Sequence, residues 1–351
     1  MLNKSKNIIY ICTAEKKASG GAKIIYDHSQ IINNSNSEFN SQIIHIAKKK
    51  NSKWKNSVNK LLKIETQNFS GWQSNEITIK KNFIYSWFKN KISTKENFDF
   101  TENDFVIFPE IFAHLAKKMC INKNIDFGIF VQNGYSLFST NNLKSLDEVY
   151  KKSKVILSYS KNIDNCIKLA FPGCEKKIIK IQCSVDVKIK NSRNKKNLIT
   201  YMPRKLPFHS RQVIFFLRNN LPKNWKIKPL HNLPQNLVYK NLNKSKIFLS
   251  FSNLEGLGLP PIEAAISGNK VIGYTGEAGK EYFKKPIFTE INSGNLIKFC
   301  NEILKEIKRK NFFKNSYNQR LNLKNKFSKK NEIMFVYKFL KKIKNIKKFD
   351  F

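Results

Sequence analysis

Short apolar runs rich in Ile, Val and Phe alternate along this chain with longer segments whose apolar residues recur every three or four positions. NIIYIC (7–12), DFVIFPE (104–110), FGIFVQN (127–133), KVILSYS (154–160) and KIIKIQCS (177–184) are apolar on successive positions, the pattern of strands covered on both faces in a parallel sheet. The polar, basic interval VDVKIKNSRNKKN (185–197) interrupts this rhythm, which restarts with LITYMPR, WKIKPL, KIFLSFS and KVIGYTG. The pattern predicts an α/β protein of two doubly wound, Rossmann-like domains. Their expected extents are 1–184 and 198–328, with a linker at 185–197. Residues 48–103, rich in Lys, Asn and Trp, fit the alternation worst and are expected to be an elaborated strand and loop region. A closing helix over 329–351 is amphipathic, with Ile333, Val336, Tyr337, Leu340 and Ile343 at helical spacing and lysines opposite. Such a face suits packing back toward the first domain, or peripheral contact with an anionic membrane.

Length agrees with two cores, since 351 residues exceed one ordinary domain. Charge changes the picture more: 65 Lys and Arg against 25 Asp and Glu leave +40, which on its own points to nucleic acid, an anionic membrane or an anionic substrate. Lys, Asn and Ile are raised together along the whole chain, however. Evenly spread charge reads as a solvated lysine surface rather than a localised binding stripe, and no specific nucleic acid is expected. Six cysteines without a C-x-x-C pair, mostly inside apolar runs, read as buried reduced thiols in a cytoplasmic protein. The scattered histidines form no metal-ligand pattern, and no metal or cofactor is expected. The opening MLNKSKNIIYIC has too short an apolar run for a signal peptide, and no apolar stretch of about 18 residues spans a bilayer. The expectation is a cytoplasmic protein, at most peripheral at the inner face of the membrane.

The segment EGLGLPPIEAAISGNKVIGYTGEAGKEYF, Glu255 to Phe283, departs from the Lys- and Asn-rich background. It predicts a strand ending at Ser252, a loop NLEGLG at its carboxyl end, and a helix starting at Pro260 and Pro261, where a missing N–H is harmless. Gly268 is placed to end that helix in a left-handed cap. The loop then aims free N–H groups and a positive helix end at one spot, an anion site. Two acids flank it: Glu255 in the loop and Glu263, expected in the first helical turn. A helix dipole explains Glu263 but not Glu255 in a glycine-framed loop. A ligand carrying both phosphates and sugar hydroxyls explains both.

This segment resembles the donor-binding region of the retaining GT-B glycosyltransferases, with their Glu-x7-Glu pattern at Glu255 and Glu263. SGNKVIG and TGEAGKEYF extend the likeness, and NIIYICTAEKKASGGAKII, with Gly20 and Gly21, resembles the opening strand, Gly-Gly loop and helix of the family's first domain. The resemblance implies a GT-B fold of two Rossmann-like domains facing a cleft. It also implies transfer of a hexose-type sugar, with retention, from a nucleotide diphosphate sugar donor to a saccharide or lipid-linked acceptor in cell-surface glycan synthesis. By the same resemblance Glu263 holds the ribose hydroxyls and Glu255 the transferred sugar, while Gly256, Leu257, Gly258 and Leu259 offer N–H groups to sugar or phosphate. Arg204 in LITYMPRKLPFHSRQV fits the first cation of the diphosphate site; Lys205 or Arg211 completes it. Glu255, Arg204 and Lys205 form the implied catalytic set, with Glu263, Arg211, Gly20 and Gly21 on the donor. Glu110, His114, Gln132 and Asn133, at the ends of first-domain strands, are acceptor-side candidates. No D-x-D pair occurs, which agrees with a diphosphate held by cations and helix N-termini instead of a metal. Two other readings remain: a cationic nucleic-acid or membrane-surface protein on a degenerate GT-B core, and a sugar-nucleotide epimerase on the same fold.

Overall fold

The computed structural model describes residues 6–15, 19–48, 77–138, 140, 142–187, 195–309 and 317–346; most of the interval 185–197 and the stretch 49–76 lie outside the described residues. The chain divides into two units. The first comprises Met1–Tyr159, Ile163–Ile181 and Ile333–Phe351, the second Ser160–Asn162 and Gln182–Glu332.

In the first unit, β1 (Lys6–Thr13) leads through α1 (Gly20–Asn33) to β2 (Phe39–Lys48), followed by the short β3 (Ile77–Ile79) and β4 (Ser93–Thr94). Then come β5 (Asp104–Pro109), α2 (Ala116–Met119), β6 (Phe127–Phe130), α3 (Leu143–Lys152), β7 (Val155–Ser158), α4 (Lys161–Ala170) and β8 (Ile178–Lys180). The strand order is β3-β2-β1-β5-β6-β7-β8, with β4 beside β2. Among the described residues only β2 with β3 pairs antiparallel. After β2 the chain crosses to the far side of β1, so the order reverses between β1 and β5, where open α/β sheets bind ligands. All six residues of β5 are buried, as the apolar run predicts.

In the second unit, β9 (Lys196–Tyr201), α5 (Pro207–Leu217), β10 (Lys226–Pro229), α6 (Gln235–Lys244) and β11 (Ser245–Glu255) are followed by α7 (Leu259–Ile266), β12 (Lys270–Glu277) and β13 (Phe288–Glu290), then α8 (Leu296–Ile307), α9 (Tyr317–Lys326) and α10 (Lys329–Ile346). The all-parallel sheet runs β10-β9-β11-β12-β13, reversing between β9 and β11. Its core joins Ile199, Leu249, Phe251, Ile272 and Tyr274 of the strands to Val213 and Leu217 of α5 and Phe299 and Ile303 of α8.

Three expectations need correction. Strands β2 and β13 were not among the predicted runs, because polar residues break their apolar pattern. Strand β11 does not stop at Ser252 but continues to Glu255 through a register shift against β12. On α10, Tyr337 is exposed and Phe339 takes its place in the buried stripe with Val336, Leu340 and Ile343. A stripe 3.6 residues per turn drifts past Tyr337 over this length.

Candidate functional site

The reversal between β9 and β11 gathers the charged residues of the second unit. Arg204 and Lys205 follow the carboxyl end of β9, and Glu255 ends β11. Lys205 Nζ lies 3.2 Å from Glu255 Oε1, with the two side chains 40% and 22% exposed. An ion pair this open contributes at most about 1 kcal/mol, so an anionic ligand separates it at little cost. Arg204 is exposed beside it. Arg211 lies a turn into α5, also exposed, so Lys205 is the cation that meets Glu255.

Beyond Glu255 the chain turns sharply into α7. Gly258 sits at the helix N-cap with φ +77°, and a Cβ there would come within 2.9 Å of the Tyr282 hydroxyl. Only glycine meets both conditions. Tyr282 is buried, and its hydroxyl lies 2.9 Å from the Leu257 carbonyl oxygen and 2.7 Å from that of Gly258, fixing the loop from beneath. No side chain caps α7; Pro260 and Pro261 have no N–H, so among its first three residues Leu259 alone offers one, together with the positive end of the dipole, to a ligand. Leu259 and Pro260 open the helix, as the proline placement predicts. At the other end Gly268 takes φ +87°, the left-handed cap expected of it. Buried Arg320 donates to the Ile266 carbonyl at 3.3 Å, a cation at the helix C-terminus.

Glu263 requires a correction, since with α7 starting at Leu259 it falls in the second turn, not the first. Its Oε1 accepts from the Tyr239 hydroxyl of α6 at 3.0 Å, and Tyr239 in turn accepts from Gln235 Nε2 at 2.7 Å. Burial, then the Glu263 charge, pushes the Tyr239 phenol well up, so it stays a donor. Sequence reasoning missed Tyr239, whose segment NLPQNLVYKNLNKS carries no motif.

In the first unit the other candidates converge at the reversal between β1 and β5. Ser19 caps α1, its Oγ accepting from Ala22 N at 3.1 Å. Gly20 and Gly21 open that helix. A Cβ on Gly21 would fall 2.0 Å from Gln132 Oε1, and Gln132 Nε2 donates to the Gly21 carbonyl at 3.1 Å. Glu110 is buried, and its two oxygens accept from the backbone N–H groups of Gln132 at 2.9 Å and Asn133 at 3.1 Å. Burial dominates over those bonds and pushes its carboxyl up to about 7. Asn133 Oδ1 accepts from Tyr135 N at 3.0 Å, and Tyr159 donates to the Gln132 carbonyl at 2.7 Å. Gly21, Glu110, Gln132 and Asn133 thus form one network in which Glu110 holds the loop; His114 is buried on the two-turn 3-10 segment Glu110–Leu115 that Glu110 opens. A further participant, Tyr85, sends its hydroxyl to the Thr13 carbonyl at 3.0 Å and accepts from Glu15 N at 3.1 Å, anchoring the carboxyl end of β1.

Among the described residues no three His, Cys, Asp or Glu side chains group to hold a metal ion, and no helix is long and apolar enough to cross a membrane.

No protein-family model and no curated protein sequence matches the chain. Solved structures do. An S. aureus TarM variant in complex with fondaparinux, α-GlcNAc-glycerol and UDP superposes with TM-score 0.63 at 13% identity, over 96% of this chain and 99% of that one. The lipopolysaccharide outer core galactosyltransferase WaaB gives 0.61 at 14%, over 97% and 99%. Anabaena HepE in complex with UDP-glucose gives 0.64 at 9%, over 95% and 99%. Likeness at these identities establishes the fold, which is GT-B, with two Rossmann-like domains.

Proposed function

We propose that this chain is a glycosyltransferase moving a hexose-type sugar from a nucleotide diphosphate donor to a saccharide or lipid-linked acceptor. One observation carries the reading: at the strand-order reversal of the second unit Lys205 pairs with Glu255, and the helix that begins just beyond, with no side-chain cap, carries Glu263 in its second turn. Nucleotide diphosphate sugars combine the chemistries that such a set recognises. The UDP in the TarM complex and the UDP-glucose in the HepE complex support the same ligand class.

In this account the donor diphosphate takes the backbone N–H groups of Gly256, Leu257, Gly258 and Leu259, which lead into α7, together with Lys205 and Arg204. Lys205 leaves Glu255, whose freed carboxylate accepts hydrogen bonds from the hydroxyls of the sugar. Glu263 accepts from the ribose hydroxyls, one of its oxygens already oriented by Tyr239. As the bond from the anomeric carbon to the diphosphate breaks, negative charge grows on the leaving group. The helix dipole is fixed in advance and the released Lys205 joins it there, so in this account they stabilise the transition state more than the bound donor. The acceptor binds mainly on the first unit, near the Gly21, Gln132 and Asn133 network. Retention at the anomeric carbon, independence of metal and a role in cell-surface glycan synthesis follow from the sequence resemblance. We take the enzyme to work in the cytoplasm, a compartment that suits its free cysteines.

A saturation-transfer NMR screen of nucleotide sugars, with and without magnesium and beside single-stranded DNA at physiological salt, tests this. Nucleotide-sugar binding that survives chelation supports the enzyme. Salt-sensitive DNA binding with no nucleotide-sugar signal refutes it.

A further inference from the structure

The apolar stripe of α10 is buried, so the one segment whose sequence suggests a membrane-facing helix has spent its apolar face on packing. Exposed aromatics lie elsewhere. On α5 the buried residues Ser210, Val213 and Leu217 face the sheet. Phe208 and Phe215, seven residues apart and therefore stacked on one face two turns long, point the opposite way, 61% and 54% exposed. Arg211 and Arg218 flank them at the same seven-residue spacing, both exposed, and the Arg218 guanidinium lies 3.7 Å from the Phe215 ring centre. α5 contains no acidic residue. The neighbouring α8, joined to it through Cys300 and Val213, adds exposed Ile297 and Lys298. Its two acids are already matched, Glu302 by Lys305 and Glu306 by Arg309.

We propose that the outer face of α5 and α8 is a docking surface for an anionic lipid bilayer. Two aromatic rings standing out of a basic, acid-free helix face match the two layers of such a surface. The rings enter the boundary between headgroups and acyl chains while the guanidinium and ammonium groups stay with the lipid phosphates. Charge complementarity selects this occupant. A second copy of the chain would set Arg211, Arg218 and Lys298 against an equally cationic face. A nucleic-acid duplex would take the cations at its phosphates and leave both phenylalanines in solvent, and a single strand stacked on the rings, seen as oligonucleotide binding at physiological salt that the Phe208 and Phe215 changes abolish, would overturn the proposal. The inference stands on exposed residues alone and does not depend on the proposed reaction.

Co-sedimentation with vesicles tests it, using phosphatidylcholine alone and phosphatidylcholine doped with phosphatidylglycerol. The full chain is expected to bind the anionic vesicles at least about tenfold more tightly than the neutral ones. Phe208→Ser with Phe215→Ser should lower that affinity at least about tenfold, from the loss of two inserted rings. Arg218→Glu with Lys298→Glu should do the same by charge alone, keeping the test valid if the aromatic variant fails to fold. The control pair Lys341→Glu and Lys342→Glu, with the same charge change on exposed α10 positions, should cost less than about threefold. Equal binding to neutral and anionic vesicles would overturn the proposal. So would an equal loss in the control pair, or a concentration-dependent dimer that the Phe208 and Phe215 changes abolish.

Discussion

Gly276 supports Glu255 from the adjacent strand, and replacing it separates the architecture of the site from simple stability. Its φ is +63°, and an added Cβ would lie 2.9 Å from Ser252 Cβ and 3.1 Å from both Cβ and Cγ of Glu255. These carbons are not the free ends of flexible side chains, and the contacts are 0.4 Å or more inside the optimal carbon–carbon separation of about 3.5–4.0 Å. The left-handed backbone costs about 1–2 kcal/mol for alanine, the overlap about 1–3 kcal/mol, and the stiffer unfolded chain returns about 0.4–1 kcal/mol. Gly276→Ala should therefore destabilise the second unit by about 1–5 kcal/mol, lowering its thermal midpoint by roughly 2–20 °C. Gly294 provides the control. It has φ +86° and nothing within 4 Å of its would-be Cβ, so Gly294→Ala carries the backbone penalty only, about 1 kcal/mol after the same offset. Calorimetric scans of both variants, with nucleotide-sugar titrations well below the transition, read the two effects. Gly276→Ala should also weaken nucleotide-sugar binding by displacing Glu255, while Gly294→Ala should not. Equal midpoint shifts, or undisturbed binding in Gly276→Ala, would refute the reasoning.

Tyr239→Phe removes a hydrogen bond that Glu263 makes with and without ligand, so it should destabilise the second unit by about 1.5–3 kcal/mol and weaken nucleoside diphosphate binding by less than that, both read by calorimetry; unchanged affinity would detach Tyr239 from the site. The first unit should show two opposing pH dependences. Burial holds the Glu110 carboxyl up at about 7 against an ordinary 4.5, so between those values the folded state binds more protons than the unfolded one and stability falls as pH rises, by about 3 kcal/mol in all. Burial holds the His45 imidazole down at about 4 against 6.5, so over that window the unfolded state binds more protons and stability rises with pH by a similar amount. The two nearly cancel in the native chain. Glu110→Gln should expose a rise in unfolding midpoint between about pH 4 and 6.5, and His45→Gln a fall between about pH 4.5 and 7; parallel profiles for both variants would contradict the assignment.

Strands buried on both faces announced themselves, because β5, β6, β7 and β11 need apolar residues at successive positions. β2 escaped notice because SEFNSQIIHIAKKK mixes Ser, Gln and His into its run; His45 is nevertheless buried and bonded to the Tyr26 hydroxyl at 2.8 Å. The turn into α7 was legible because glycine and proline punctuate it where the backbone demands them, at Gly258 and Pro260. Helix phase was less legible. Glu263 shifted from first turn to second because α7 starts one residue before the prolines. Partners supplied by distant segments left no local trace. Tyr239 sits in an ordinary polar helix, and Tyr85 in the segment whose alternation is weakest. Lys205 could not be told from Arg211 by spacing, since the ion pair with Glu255 depends on β9 and β11 lying side by side.

The most direct measurement is a pair of calorimetric titrations, nucleoside diphosphate and the corresponding nucleotide sugar, on the native chain, Glu263→Gln and Glu255→Gln. If Glu263 holds the ribose and Glu255 the sugar, Glu263→Gln weakens both ligands by about 1.5–3 kcal/mol, or roughly 10- to 150-fold. Glu255→Gln weakens the nucleotide sugar by a similar factor and leaves the diphosphate bound at least as tightly, since Lys205 no longer faces a competing carboxylate. Unchanged affinities in both variants, or no binding of either ligand to the native chain, would contradict the assignment of this site to a sugar nucleotide.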